Sequence, residues 1–111
     1  MTREEFEVLV RKALRELPKK FRDKLENVDV VIDEDDRGPH LGLYQGVPLK
    51  NRTSHYGFVL PDKITIFKRN IEEECRIRGL DIEKEVRHVI HHEIAHHFGI
   101  TDEQLRKMGL Y

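Results

Sequence analysis

Apolar positions recur first at helical spacing. Phe6, Leu9, Val10, Ala13, Leu14 and Leu17 fall three and four residues apart behind a Thr2-x-x-Glu5 capping box, which predicts an amphipathic helix that Pro18 interrupts. Proline suits a first helical turn, so a short second helix is expected through Phe21 and Leu25, with Asn27 ending it. The rhythm then changes. Val28, Val30, Val31 and Ile32 form a β-branched run that stops at the acidic cluster Asp33 to Asp36 and the Arg37-Gly38-Pro39 turn, which predicts an inner strand. From Gly38 to Pro61, Gly and Pro recur around the short apolar pieces Leu41-Gly42-Leu43-Tyr44 and Tyr56-Gly57-Phe58-Val59-Leu60, so a long, partly stranded surface excursion is expected.

Lys63 to Arg69 alternates apolar with polar or charged residues, the sign of a strand with one wet face, and its Lys and Arg suit an exposed edge. A charged helical turn or two then carries Ile71, Cys75 and Ile77 to Gly79, a residue suited to a C-terminal stop. Asp81 is placed to cap the most strongly written segment, Ile82 to Phe98. There Val86, Val89, Ile90, Ile94 and Phe98 are spaced for burial, and Gly99 ends the helix. Thr101-x-x-Gln104 repeats the capping-box pattern and opens a final helix through Leu105 and Met108 to Gly109.

Composition narrows the classes of function. The 111 residues fit one domain, 1–111, with 38% apolar and 37% charged residues. Twenty basic against twenty-one acidic residues leave a net charge of −1, so no global field draws the protein onto nucleic acid or anionic lipid. The single Cys75 excludes an internal disulfide framework and a Cys-based zinc site, and fits a reducing compartment, so a soluble cytoplasmic protein is expected. The N-terminus lacks the apolar core of a signal peptide, and no stretch is long enough to cross a bilayer.

The chemistry is concentrated in His91-His92-Glu93-Ile94-Ala95-His96-His97-Phe98-Gly99-Ile100-Thr101-Asp102, which contains H-E-x-x-H inside a segment already expected to be helical. At about 100° per residue, His92 and His96 stand one turn apart and only roughly 40° apart around the axis, so both imidazoles can reach one zinc ion. Glu93 lies on the flank of that face, where it can act as general base on a water whose pKa zinc lowers towards about 7. This is the chemistry of metal-assisted amide hydrolysis. A tetrahedral site with one open position needs a third protein ligand, and Gly99 lets the chain turn back so that Asp102 supplies it.

The whole pattern, H-E-x-x-H-x-x-G-x-x-D, resembles the elongated zinc motif of the zincins, with Asp where most metzincins use a third His. More closely, the chain resembles the minimal zincin-like metallopeptidases of bacteria. Leu41-Gly42-Leu43-Tyr44-Gln45-Gly46-Val47-Pro48-Leu49, then Leu60-Pro61-Asp62-Lys63-Ile64-Thr65-Ile66-Phe67, then the histidine helix occur in that order, and the likeness covers roughly 28–110. It implies an α+β zincin-like fold, a small mixed sheet packed on an N-terminal helix and a C-terminal HExxH active-site helix. It also implies an extended peptide substrate on the sheet's edge strand, for which Ile64 to Arg69 is the matching segment. Two departures stand out: the chain lacks the large second subdomain of bigger zincins, and Met108 falls too near Asp102 for a Met-turn. An open, shallow site with weak or highly selective peptidase activity would follow.

Other readings stay beside this one. A non-catalytic zinc or peptide-binding module would use the metal as a staple, although it has no need of Glu93. A metal-dependent ribonuclease shares the H-x-x-x-H-x-x-G spacing, but those enzymes carry Gly at the position of Glu93 and His at that of Asp102, and this chain lacks a net basic charge. Asp102 also suits the first turn of a helix for capping reasons alone. His97 shares the face of Val86, Ile90 and Ile94 and is expected in the core, and His91 is expected to face a different neighbour. His88 sits one turn before His92, either packed or close to the reaction. His40, His55 and Tyr56 are loop residues that can also stabilise an oxyanion. Cys75 reads as a small buried residue, and Arg52, Lys68 and Arg69 as solvated charges able to hold a substrate carboxylate.

Overall fold

The computed structural model describes residues 1–23, 25, 27–46 and 62–107. Helix α1 spans Arg3–Arg15, and its capping box is formed: Thr2 Oγ1 accepts from the Glu5 amide at 3.1 Å while Glu5 accepts from the Thr2 amide at 2.9 Å. Pro18 stands at the N-cap of α2, Lys19–Arg22, a single turn shorter than the spacing of Phe21 and Leu25 predicts. Strand β1 is Val28–Asp33, β2 is Gly42–Gln45 and β3 is Asp62–Phe67. Helix α3, Lys68–Arg78, follows β3 without a loop, α4 is Ile82–Phe98 and α5 is Asp102–Lys107. Both glycine stops are as expected, since Gly79 and Gly99 close α3 and α4 in the left-handed region at φ 64° and 70°. Asp81 caps α4 through the Lys84 amide at 3.0 Å.

The strands form one mixed sheet in the order β1-β3-β2, with β1 parallel and β2 antiparallel to β3. This corrects two expectations. Ile64 to Arg69 is not an edge strand: β3 is central, both sides of its backbone are paired, and Lys68 and Arg69 belong to α3. Among the described residues the edges are β1, expected to be an inner strand, and β2. The reason is geometric. Polar alternation reports which face of a strand is wet, whereas an edge is a free side of the backbone, and side-chain pattern does not read that directly.

One face of the sheet packs on helices. Ile64 and Ile66 of β3 are fully buried with Phe6, Val10, Ala13 and Leu17 of α1, Ile71 and Cys75 of α3, and Val86, Val89, Ile90 and Ile94 of α4. Burying an aliphatic or aromatic side chain of this size is worth about 1.5–3 kcal/mol before ordering costs, so this shared core is what holds α4 in register with the sheet. The architecture is the α+β arrangement expected of the sequence, and among the described residues no helix is long and apolar enough to cross a membrane. The segments 47–61 and 108–111, with His55, Tyr56, Arg52 and Met108, lie outside the described residues.

Candidate active site

Helix α4 buries one side and turns another towards β2. Val86, Ile90, Ile94 and His97 point into the core, so His92, Glu93 and His96 are left on the adjoining flank. Glu93 is itself nearly buried, its side chain 9% exposed, while the His92 and His96 side chains are 27% and 43% exposed. The carboxylate is therefore held by packing, and the imidazoles face outward.

The three side chains converge. One donor atom each from His92, Glu93 and His96 lies within 4.8 Å of the others, and the two imidazole centroids are 4.6 Å apart. His96 Nδ1 is 3.3 Å from Glu93 Oε1. Across the Gly99 turn, Asp102 begins α5 half-exposed, and its Oδ1 stands 3.4 Å from His92 Nδ1. Zinc bonds of ~2.0–2.2 Å in a tetrahedron put neighbouring donors roughly 3.3–3.6 Å apart, so the 3.4 Å between His92 and Asp102 fits two ligands of one small cation, while the group of three mutually close donors is His92, Glu93 and His96 and does not include Asp102. Borderline nitrogen and hard oxygen donors in this ratio suit zinc chemically.

A family model described as zincin-like metallopeptidase matches residues 21–110. The chain belongs to the zincin-like metallopeptidase family. No curated protein matches it. Within this zincin-like chain the remaining sites expected from the sequence divide clearly. His97 is fully buried, as its face predicts, and His91 is buried against α1, its ring nitrogen 2.9 Å from the Ala13 carbonyl. His88, by contrast, is not packed away: its side chain is 46% exposed, and its ring lies 6.5 Å from that of His92. His40 is exposed, its ring 6.4 Å from that of Phe67, and its carbonyl accepts from Asn70. Lys68 pairs with Glu72 at 3.0 Å, and Cys75 is a buried free thiol whose pKa burial pushes up.

Three features of this zincin-like site have no counterpart in the sequence reading. Gly42 brings β2 directly against Glu93, for a Cβ there would lie 2.8 Å from Val89 Cγ1 and 3.0 Å from Glu93 Cγ. Behind the histidines, Asp62 Oδ2 accepts from the Tyr44 hydroxyl at 2.7 Å and meets His97 Nδ1 at 2.6 Å, with Asp62 only 1% exposed. The Tyr44 ring stands edge-on to both His96 and His97, at 6.5 and 6.0 Å, so β2, β3 and α4 are tied together beside the site. Last, a cleft of about 230 Å³ opens between Leu41 and Gly42 on one side and Glu85, His88, His92 and Glu93 on the other. A lone acid heading an apolar strand is the one sequence signal for Asp62, because a buried carboxylate requires partners.

Proposed function

We infer that the protein is a zinc-dependent metallopeptidase that hydrolyses peptide bonds in a peptide or unstructured protein segment, with His92, His96 and Asp102 holding the metal and Glu93 acting as general base. The observation that carries this reading is the position of Glu93: a nearly buried carboxylate, beside two convergent imidazoles, on the wall of an open cleft. Zinc, when bound, supplies Lewis-acid polarisation of the scissile carbonyl and lowers the pKa of a water towards about 7. Glu93 takes the proton of the attacking water and returns it to the leaving amine, so that no charged amide nitrogen has to depart. Val89 and Gly42 exclude solvent from one side of that carboxylate, which keeps its hydrogen bonds short-ranged and directed at the reactants.

The peptide itself is taken by a strand edge. Since both sides of β3 are paired, the edge nearest the site among the described residues is β2, and an extended substrate adds to its outer side by main-chain hydrogen bonds. The reading treats 1–111 as one domain and the location as cytoplasmic, where a buried free thiol such as Cys75 stays reduced.

Glu93→Gln tests the role of the base. It keeps zinc bound while peptide hydrolysis falls by roughly 10²–10⁴-fold, read by metal analysis and peptide turnover on the same sample. One observation favours a second reading. Glu93 lies inside the donor group, 3.3 Å from His96 Nδ1, where it can serve as a ligand of a closed, structural site. In that case Glu93→Gln releases the metal, and no turnover is found in the parent protein either.

A further inference from the structure

The cleft beside Glu93 has an uneven chemistry. Its volume of about 230 Å³ is on the scale of one long side chain, below the roughly 300–1,000 Å³ typical of small-molecule pockets. Leu41 and Val89 give it apolar walls, whereas Glu85 and Glu93 line it with carboxylates, and among the described residues lining it there is no lysine or arginine. Glu93 is already assigned to the proton transfer. Glu85 is not used by that chemistry, yet its side chain is only 13% exposed.

A carboxylate so far removed from water is costly without a partner. Among the described residues the ion pair of Glu85 is with His88, one turn on along the same helix, whose Nδ1 is 3.6 Å away, longer than a hydrogen bond, and which is not a permanent cation. The guanidinium of Arg78 feels the Glu85 charge but is held by Glu74 at 2.8 Å. A site with two apolar walls and an acid about two turns of helix before Glu93 matches an aliphatic stem that ends in a cation.

We propose that this cleft takes a lysine or arginine side chain of the peptide substrate and that Glu85 selects it. The inference rests on the peptidase reading for its setting, but the recognition belongs to the cleft. An acidic side chain meets two carboxylates there, and an apolar one leaves Glu85 desolvated beside hydrocarbon, so both are disfavoured relative to a basic one. Glu85 acts by binding the substrate and carries no proton in the reaction.

The test uses alanine-flanked peptides that differ at one residue, lysine, arginine, norleucine or glutamate, norleucine being the uncharged match for the lysine stem. Hydrolysis is measured with the parent protein, and binding is measured by calorimetry with the Glu93→Gln protein, with and without zinc. Lysine and arginine peptides are expected to exceed norleucine by about 10-fold in both kcat/KM and affinity, with glutamate last. In Glu85→Gln that ratio shrinks to roughly 2-fold or less, and in Glu85→Lys glutamate overtakes lysine. Circular dichroism of each variant establishes that it folds, and Glu85→Asp, which keeps the charge, retains the basic preference if either bulkier change fails to fold.

Cleavage without a basic preference, or with one that Glu85→Gln leaves intact, overturns the proposal and spares the peptidase reading. Binding of basic peptides that depends on Glu85, with none of them hydrolysed, supports the proposal and overturns the peptidase reading. Neither cleavage nor Glu85-dependent binding overturns both.

Discussion

Gly42 sits where β2 packs against α4, and its missing side chain leaves room there for Val89 and Glu93. A methyl group at that point would meet Val89 at 2.8 Å and the Glu93 side chain at 3.0 Å, neither of which has room to retreat, since both are buried. Gly42→Ala is therefore expected to cost about 1–3 kcal/mol of stability through overpacking, and to depress kcat more than KM by shifting the Glu93 carboxylate. Denaturant titration and steady-state kinetics check the two effects, and wild-type values for both would mean that the strand does not press on the helix. At this scale the sequence was informative only where helical periodicity converts spacing into direction. His92, Glu93 and His96 lie four residues or fewer apart on one helix, so their convergence was legible. Tyr44 and Asp62 meet their neighbours through packing between elements, and helical spacing does not encode that.

Helix α4 is defined at both ends by residues readable in advance, the Asp81 cap and the Gly99 stop, and its inner face carries a titration signal of its own. His91 is buried against α1, and burial pushes its pKa below the ordinary histidine value, while its hydrogen bond to the Ala13 carbonyl pulls the other way. The folded protein thus resists a proton that the unfolded chain accepts. Stability from this residue is complete above the ordinary value of about 6.5 and declines as pH falls below it, because only the unfolded state then binds the extra proton. In metal-free protein, unfolding midpoints are expected to fall between about pH 7 and 5.5, and less steeply in His91→Gln, which keeps a donor towards Ala13 but cannot charge. Parallel profiles for the two proteins would remove His91 as the cause. The strands were harder to read than this helix. β1 and β3 were recognisable by β-branching and alternation and β2 only as part of a partly stranded excursion, yet the order β1-β3-β2 was not, because faces, and not backbone edges, leave a mark in side-chain pattern.

For the whole molecule, the core and the candidate metal site are mechanically one object. The side of α4 that carries Val86, Ile90 and Ile94 into the core adjoins the side that carries His92, Glu93 and His96, and Asp102 is brought to His92 only by the chain reversal at Gly99. Ordering these elements is what brings the donors together, so a cation that binds them stabilises the folded state by mass action and has no comparable site in the unfolded chain. At a free zinc concentration 100 times the dissociation constant the gain is about 2.7 kcal/mol, which for a domain of this size raises Tm on the order of 10 °C. Chelation should remove that increment from the parent protein and leave His92→Ala unmoved. Asp102→Ala separates the two roles of its carboxylate: a metal ligand, once lost, weakens zinc binding and shrinks the thermal shift, whereas a residue serving only the start of α5 lowers Tm equally with and without zinc. Calorimetric scans of the three proteins, each with zinc and with chelator, decide between those outcomes, and a shift that survives in His92→Ala would place the cation away from α4 altogether.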